Sequence, residues 1–186
     1  MSDGLFYLDT REPFIGIDIA AVTLSTTAKA LYPASNFPIL GGQYFSRIGK
    51  KIKIRLFGRM TTGTTPGNGS FNVYYGTGAD ANGVLLMTGT PVALSASQTN
   101  LSWWADVFVH CRSIGSSGTL FCTGEANFHV SLIASTLQPI LLPASAPAVS
   151  GACDLTAANI ISVQFLRSGS TAETMQVHDM EVIALN

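Results

Sequence analysis

Three histidines, His110, His129 and His178, are the side chains of this sequence best suited to bind a metal or to move a proton. A metal site on a β-scaffold of this size would need two closely spaced histidines together with a carboxylate and a third histidine, and no His-x-His is present. His178 directly precedes Asp179, but neighbouring residues of a strand point to opposite faces. We therefore predict no metal site and no cofactor.

Serine, cysteine and paired carboxylates offer no better start for catalysis. No serine lies in a Gly-x-Ser-x-Gly turn, and none of Cys111, Cys122 and Cys153 has a recognisable histidine partner. The chain has eleven Asp and Glu residues and no convincing pair for glycoside hydrolysis. The Gly-rich stretches 63–69 and 76–83 lack the lysine and the helix start of a phosphate-binding loop. We predict no catalytic residues, a protein that is not an enzyme, and reduced thiols at Cys111 and Cys122.

The elements that would position side chains on this scaffold are strands. From about residue 50 onward, apolar and polar residues alternate in short runs that are separated by clusters of Gly, Pro, Asn and Ser. These runs lie at 51–56, 71–75, 84–87, 103–111, 120–130, 161–165 and 175–182. The phase of the last run shifts near Asp179, which predicts a β-bulge. The pattern predicts an all-β protein, an antiparallel β-sandwich with the long connections of a jelly roll.

The strongest element is a hairpin over residues 103–130. Centring its turn between Ser116 and Ser117 places Cys111 opposite Cys122 and brings both apolar faces to one side of the sheet. This agreement between the two strands is our reason for the predicted register.

The opposite face of the same hairpin carries three large aromatic residues, Trp104, Phe108 and Phe121, among polar ones. An antiparallel sheet normally has one solvated face, and large aromatic side chains are unusual there. We therefore predict that these three residues are subunit-interface aromatics, covered by a neighbouring subunit or by another part of the chain.

A basic cluster precedes this hairpin: six of the ten Lys and Arg residues lie between positions 47 and 59. Strand alternation puts four of them on one face, namely Lys51, Lys53, Arg55 and Arg59. They could form a basic docking face for an acidic partner surface or a glycan phosphate. Alternatively, they form a solvated strand face that discourages edge pairing. The net charge of −1 argues against wholesale nucleic-acid binding.

The composition of the sequence limits the class of protein, and the residue pattern differs between an N-terminal segment and the rest of the chain. Charged residues make up 11% against about 25% in an average domain, and mean hydropathy is +0.34. No apolar run is long enough to span a membrane, so we expect a surface that is largely covered by partners. Residues 1–35 have scattered anchors without alternation and are predicted to be an N-terminal arm that is held by a neighbouring subunit or a partner surface. Alternatively, the arm folds back on its own domain. Residues 36–186 are predicted to be the sandwich domain. No signal peptide is visible, which suggests synthesis in the cytoplasm.

Several segments of the sandwich resemble small structural proteins encoded by tailed phages of actinobacteria. They are LYPASNFPILGGQYF (31–45), FGRMTTGTTPGNGSFNVYYGTGADANG (57–83), GTLFCTGEANFHV (118–130), LTAANIISVQF (155–165) and GSTAETMQVHDMEV (169–182). The resemblance covers about residues 31–186 and lies in turns and strand patterns, with no catalytic motif. It defines no site residues.

The resemblance implies a virion component made in the host cytoplasm, either a jelly-roll capsid decoration protein or a minor capsid protein that forms homotrimers on the exterior of the shell. Its partners would be further copies of itself and the phage major capsid protein, with no nucleic acid and no membrane. The arm would dock on the capsid through its apolar anchors, Phe6, Tyr7, Phe14, Ile15 and Ile17, and the basic docking face would meet an acidic capsid surface.

An alternative function is a tail-tip or fibre module that binds host-surface glycans. Jelly rolls also occur as lectins, and Trp104 with the nearby Asp106 and Asn127 could stack on a sugar and form hydrogen bonds with it. A jelly-roll lyase or hydrolase is the weakest alternative because it requires paired carboxylates.

Overall fold

The structure, a computed structural model, describes residues 19–40, 42, 44–134 and 138–185. This part of the chain forms eleven strands and one short 3-10 helix, Ala34–Asn36. The strands are β1 (Val22–Thr23), β2 (Lys29–Ala30), β3 (Lys51–Thr61), β4 (Asn68–Gly76), β5 (Val84–Thr88), β6 (Val92–Ala93), β7 (Leu101–Ser113), β8 (Thr119–Phe128), β9 (Ile140–Leu142), β10 (Ile160–Arg167) and β11 (Thr174–Ala184).

The strands form two antiparallel sheets packed face to face. The first sheet has the order β1-β11-β3-β7-β8-β9, and the second has the order β2-β10-β4-β5, with β6 also paired to β4. Successive strands cross repeatedly from one sheet to the other, and β10 and β11 return to lie beside β4 and β3. This is the connectivity of a jelly roll, with β8 and β9 added beyond β7. The predicted all-β antiparallel sandwich is confirmed.

The core between the sheets follows from the alternation of apolar residues. Along β3, every second side chain is buried, whereas the charged residues between them point outward. At the centre of the core, the Phe71 ring lies 5.6 Å from Trp103, 5.7 Å from Phe128 and 4.9 Å from Phe165. These four rings come from β4, β7, β8 and β10, and they join the two sheets.

The bulge predicted near Asp179 is present, because the pairing of β11 with β3 shifts register between Val177 and Asp179. The predicted hairpin register is wrong by two residues. Cys122 lies opposite Val109, not opposite Cys111. The turn accounts for one residue of this error, because Ser113 lies opposite Thr119, and the irregularity between Cys111 and Ser113 accounts for the other. Because the error is an even number of residues, the predicted faces are retained. All three cysteines are free and buried.

The boundary predicted for the N-terminal arm needs correction. Residues 19–35 belong to the sandwich, since β1 pairs with β11 and β2 pairs with β10. Leu24, Leu31 and Tyr32 of this segment are each 1% exposed. The predicted arm anchors lie outside the described residues: Phe6, Tyr7, Phe14, Ile15 and Ile17.

The outer side of β10 in the second sheet is covered by the chain itself, whereas Leu85 on β5 remains exposed on that side. The loop 77–82 folds over β10 and is held by Gln164, whose amide accepts a hydrogen bond from Ala81 N (2.7 Å) and donates one to the Ala79 carbonyl (3.0 Å). Asp80 of the same loop pairs with Lys29. Within the described ranges, no helix is long and apolar enough to cross a membrane.

Candidate interaction face

The most distinctive surface of the molecule is the outward side of the first sheet, which we call the outer face. It combines two residue sets that the sequence predicts separately. Lys51, Lys53, Arg55 and Arg59 stand on β3, and Trp104, Phe108 and Phe121 stand on the adjacent β7 and β8. In the strand register, Lys53 lies opposite Phe108. The basic residues and the aromatic residues therefore form one surface.

Cations lie against the aromatic rings at one end of this face. Lys51 Nζ is 4.6 Å and Lys53 Nζ is 5.3 Å from the centroid of the Phe108 ring, and the Arg112 guanidinium is 5.5 Å from the Phe121 ring. Such cation–π contacts contribute about 0.5–1 kcal/mol each at exposed sites. This end of the face therefore presents its cations against aromatic rings.

His110 completes the same end of the face. Its ring packs edge-on against Phe121 at 6.0 Å. Burial lowers the pKa of His110 below its ordinary value, and the positive charges of Lys51 and Arg112 lower it further. His110 is therefore mostly neutral at neutral pH, and it contributes an aromatic surface more than a charge.

Asp106 is the electrostatic centre of the face, although the sequence gives no sign of this role. It is 4% exposed. Arg55 donates two hydrogen bonds to its carboxylate, at 2.7 Å and 2.9 Å, and Lys53 Nζ lies 3.0 Å from it. Burial alone would raise the pKa of Asp106, but these contacts outweigh it and the pKa is lowered. Two of the four predicted basic docking residues are thus engaged within the face.

The other predicted cations differ in their surroundings. Arg59 donates a hydrogen bond to the Asn100 carbonyl at 2.9 Å. Acidic residues flank β3 on both sides, since Arg55 lies opposite Glu181 on β11 and opposite Asp106 on β7. Glu125 lies opposite Asp106 on β8, one strand further. The outer face therefore has a cationic column on β3 with carboxylates on the neighbouring strands, and it is not uniformly basic.

Apolar groups complete the face. Trp104, Phe108 and Phe121 are half-buried. The outer face also includes three residues that sequence reasoning missed: Phe57, Leu141 and Val149, which are 37%, 67% and 53% exposed. Phe57 lies opposite Trp104, and Val149 bridges to Phe121. Leu141 lies on β9, which is too short to show alternation, and Val149 lies in the irregular segment after it. Phe57 interrupts a run of cations.

The remaining candidate residues do not assemble into a catalytic or metal site. His129 Nδ1 accepts a hydrogen bond from Ser131 N, and His178 sits at the bulge of β11. Within 19–40, 42, 44–134 and 138–185, no group of three or more His, Cys, Asp or Glu residues could hold a metal ion. Burial raises the pKa of the Cys111 and Cys153 thiols, so neither is an activated nucleophile.

Two surface depressions lie beside the N-terminal part of the sandwich. One of about 480 Å³ is bordered by 19–22 and the loop 78–80, and one of about 400 Å³ is bordered by 34–39 and Asn159. Their walls are mainly small and apolar. The charged residue in the first, Asp80, is paired with Lys29 at 2.7 Å. Neither depression offers an array of polar groups converging on a ligand.

Comparisons of this chain with protein-family models, with curated proteins and with solved structures gave no match.

Proposed function

We propose that this protein is a phage virion structural protein, a decoration protein that binds the outside of the capsid shell as an oligomer and stabilises it. The observation that carries the proposal is the outer face itself. It combines half-buried aromatic residues with cations that lie against their rings, whereas β10 on the opposite sheet is covered by the protein's own loop 77–82. Aromatic residues and arginine are enriched in protein–protein interfaces, and a few of them carry most of the binding energy.

The proposed mechanism is non-covalent. A rigid sandwich that buries one face against neighbouring subunits adds binding energy across their junction, and this energy opposes the outward pressure of packaged DNA. Each copy contributes a modest interface, and the effect is multiplied over many equivalent positions on the shell. The resemblance to actinobacteriophage structural proteins supports the capsid as the partner.

The decisive experiment measures the copy number of this chain relative to the major capsid protein in purified particles. We expect close to one copy per capsid subunit, or another fixed ratio set by the shell symmetry. A handful of copies per particle would contradict decoration and would place the protein at the tail or portal. Quantitative mass spectrometry of the particles, with the major capsid protein as internal standard, gives this ratio.

A second experiment tests whether the arm docks on the shell. Residues 2–18 can be deleted without removing β1 or β2, whereas a deletion of 1–30 would remove both. We expect the truncated protein to fold and to lose occupancy on particles. Wild-type occupancy would assign shell binding to the sandwich alone.

Glycan binding at the tail is the alternative, and one row of side chains favours it. Phe57, Trp104 and Asn127 are successive cross-strand neighbours on β3, β7 and β8. They offer an aromatic platform beside an amide, which suits sugar stacking and hydrogen bonding. Asp106, however, is occupied by Arg55 and Lys53. Binding on a glycan array that is lost in Trp104→Ala would support this alternative.

A further inference from the structure

We infer that the outer face binds the same face of a second copy of this chain, in a two-fold pair whose axis runs along β7. This inference rests on the proposed function and deepens it, because it assigns the outer face to the contact between copies within the oligomer and leaves shell binding to other surfaces. It can be tested without a capsid. It names the occupant of the outer face and predicts which strands of the two copies meet.

The position of β7 is the first argument. In the first sheet, β7 is the middle of five neighbouring strands, with β3 and β11 on one side and β8 and β9 on the other. An isologous interface repeats each contact twice, so that one surface must complement itself. A two-fold axis along β7 would place β3 of one copy over β8 of the other, and would stack the β7 aromatics, Trp104 and Phe108, against their counterparts.

The second argument is charge. The outward residues of β3 include four cations and no carboxylate, whereas those of β8 include Glu125, Phe121, Thr123 and Asn127 and no cation. With β3 over β8, Arg55 of each copy comes near Glu125 of the other, and Lys51 comes near Phe121. Within one copy, Glu181 and Glu125 already act on Arg55 through space. In the pair, each Arg55 would gain a second glutamate across the interface, while Asp106 keeps its own Arg55 and Lys53.

The third argument is size. The four long strands β11, β3, β7 and β8 are each about ten residues long and occupy about 4.8 Å in width, which gives a surface of roughly 19 Å by 33 Å, or about 600 Å². Stable interfaces bury about 800 Å² per partner. The outer face with the adjoining Leu141 and Val149 approaches this area, so a moderately stable dimer is the expected result.

Nucleic acid fits this face less well than a second copy. Lys51 and Lys53 already cover the Phe108 ring, where a base would stack. Glu125 and Glu181 would repel a phosphate backbone. A three-fold trimer, which the resemblance implies, joins two different surfaces of each copy. The self-complementary outer face instead predicts a dimer.

The first test is the mass of the full-length protein in solution, measured by sedimentation velocity over a range of concentrations. We expect a monomer–dimer equilibrium. Glu125→Lys and Trp104→Ala should each raise the dissociation constant by about tenfold or more, as hot-spot changes do. Leu85→Lys, on the exposed outer side of the second sheet, is the matched control and should leave it unchanged. Circular dichroism of each variant checks the fold.

Cross-linking tests the axis and does not depend on affinity. The native cysteines are buried, so an engineered surface cysteine is the reactive one. Ser102→Cys on β7 and Gln176→Cys on β11 lie in the same cross-strand row, since both residues face Arg59. Across the roughly 10 Å between packed sheets, a short bis-maleimide should join two copies of Ser102→Cys and not two copies of Gln176→Cys.

Three outcomes would overturn the inference. A monomer at every concentration would leave the face to the shell or to residues 1–18. A trimer would favour the heterologous interface of the resemblance. A dimer that is insensitive to Glu125→Lys, and that cross-links equally at both engineered cysteines, would place the interface elsewhere. None of these results decides the copy number on particles, so the proposed function stands or falls separately.

Discussion

Arg55 and Asp106 are joined by two parallel hydrogen bonds, 2.7 Å and 2.9 Å long, across the boundary between β3 and β7. The pair stands on the outward side of a sheet, yet Asp106 is 4% exposed. Lys53 Nζ contacts the same carboxylate at 3.0 Å. A bidentate arginine–carboxylate pair is both strong and directional, so it fixes the register of the two strands as well as the charge of the face.

Asp106→Asn should lower the free energy of unfolding by about 2 kcal/mol, because hydrogen bonds to a charged group contribute about 1.5–3 kcal/mol and Arg55 is partly exposed. Chemical denaturation at neutral pH measures this loss. Glu181→Gln is the control, since Glu181 acts on Arg55 through space from the opposite strand. Equal stability of the two variants would mean that the Arg55–Asp106 pair contributes no more than a surface charge.

The same pair predicts a pH dependence. Because the pKa of Asp106 is lower in the folded protein than its ordinary value, its contribution is complete above the unfolded value, about 3.9, and is lost as the pH falls through the folded pKa. The stability difference between wild type and Asp106→Asn should be constant from about pH 5 to 7 and should shrink below about pH 4. A difference that grows in acid would contradict the lowered pKa.

The side chain of Tyr32 forms hydrogen bonds with the backbone of β10 that a neighbouring strand would otherwise form. Its buried hydroxyl donates a hydrogen bond to the Ile161 carbonyl (2.9 Å) and accepts one from Val163 N (3.0 Å). Tyr32→Phe leaves both backbone groups unpaired in the core, so we expect a loss of about 1–3 kcal/mol in the free energy of unfolding. Tyr74→Phe, at a half-buried position on the outer side of the same sheet, should change it by less than about 0.5 kcal/mol. Thermal denaturation of both variants gives the comparison.

The position of the loop 77–82 should depend more on Gln164 than on the ion pair between Asp80 and Lys29. Gln164 is 0% exposed and bonds to the backbone of Ala79 and Ala81. Gln164→Met, of similar size, should release the loop and speed its amide hydrogen exchange. Lys29→Met removes a solvent-exposed partner of Asp80 and should have little effect, since such pairs contribute about 0–1 kcal/mol. If Lys29→Met released the loop and Gln164→Met did not, the order of importance would be reversed.

Much of this architecture could be predicted from the sequence, since two-residue periodicity fixes which side chains of a long strand share a face. For this reason, the periodicity predicts that the cations of β3 and the aromatics of β7 lie on outward faces. The pairing of Arg55 with Asp106 could not be predicted, because the two residues are 51 positions apart and their contact depends on the order of strands. The strands β1 and β2 were missed because two residues are too few to show a period.

The hairpin register illustrates a different limit. The two apolar faces predict which residues of each strand point to the same side of the sheet. The exact pairing depends on the turn, where Gly115 adopts a positive φ of 97°, and on the irregularity between Cys111 and Ser113. Such local features are set by a few dihedral angles, and several turns are compatible with the same composition. A register error of two residues keeps every side chain on its face and moves each contact along the strand by about 7 Å.

Gly58 lies on β3 at a position where the neighbouring β11 and the core leave no room for a side chain. It lies opposite Val177, where the register of β11 begins to shift. A Cβ at this position would overlap the Gln176 carbonyl oxygen and would come within 2.8 Å of the Trp103 ring. Gly58→Ala therefore forces β11 or the core tryptophan to move, and we expect a loss of about 3 kcal/mol in the free energy of unfolding.

The matched control for this substitution is Gly151→Ala. A Cβ at Gly151 would meet its nearest atom, Val84 Cγ1, at 3.8 Å, which is ordinary contact. Gly151→Ala should therefore change the free energy of unfolding by less than about 0.5 kcal/mol, and a difference of several degrees in melting temperature should separate the two variants. If both variants melted together with the wild type, β3 and β11 would have to be able to separate at the bulge. The cross-strand rows of the outer face would then be adjustable, and the alignment of Arg55 with Glu181 and Asp106 would not be a rigid property of the fold.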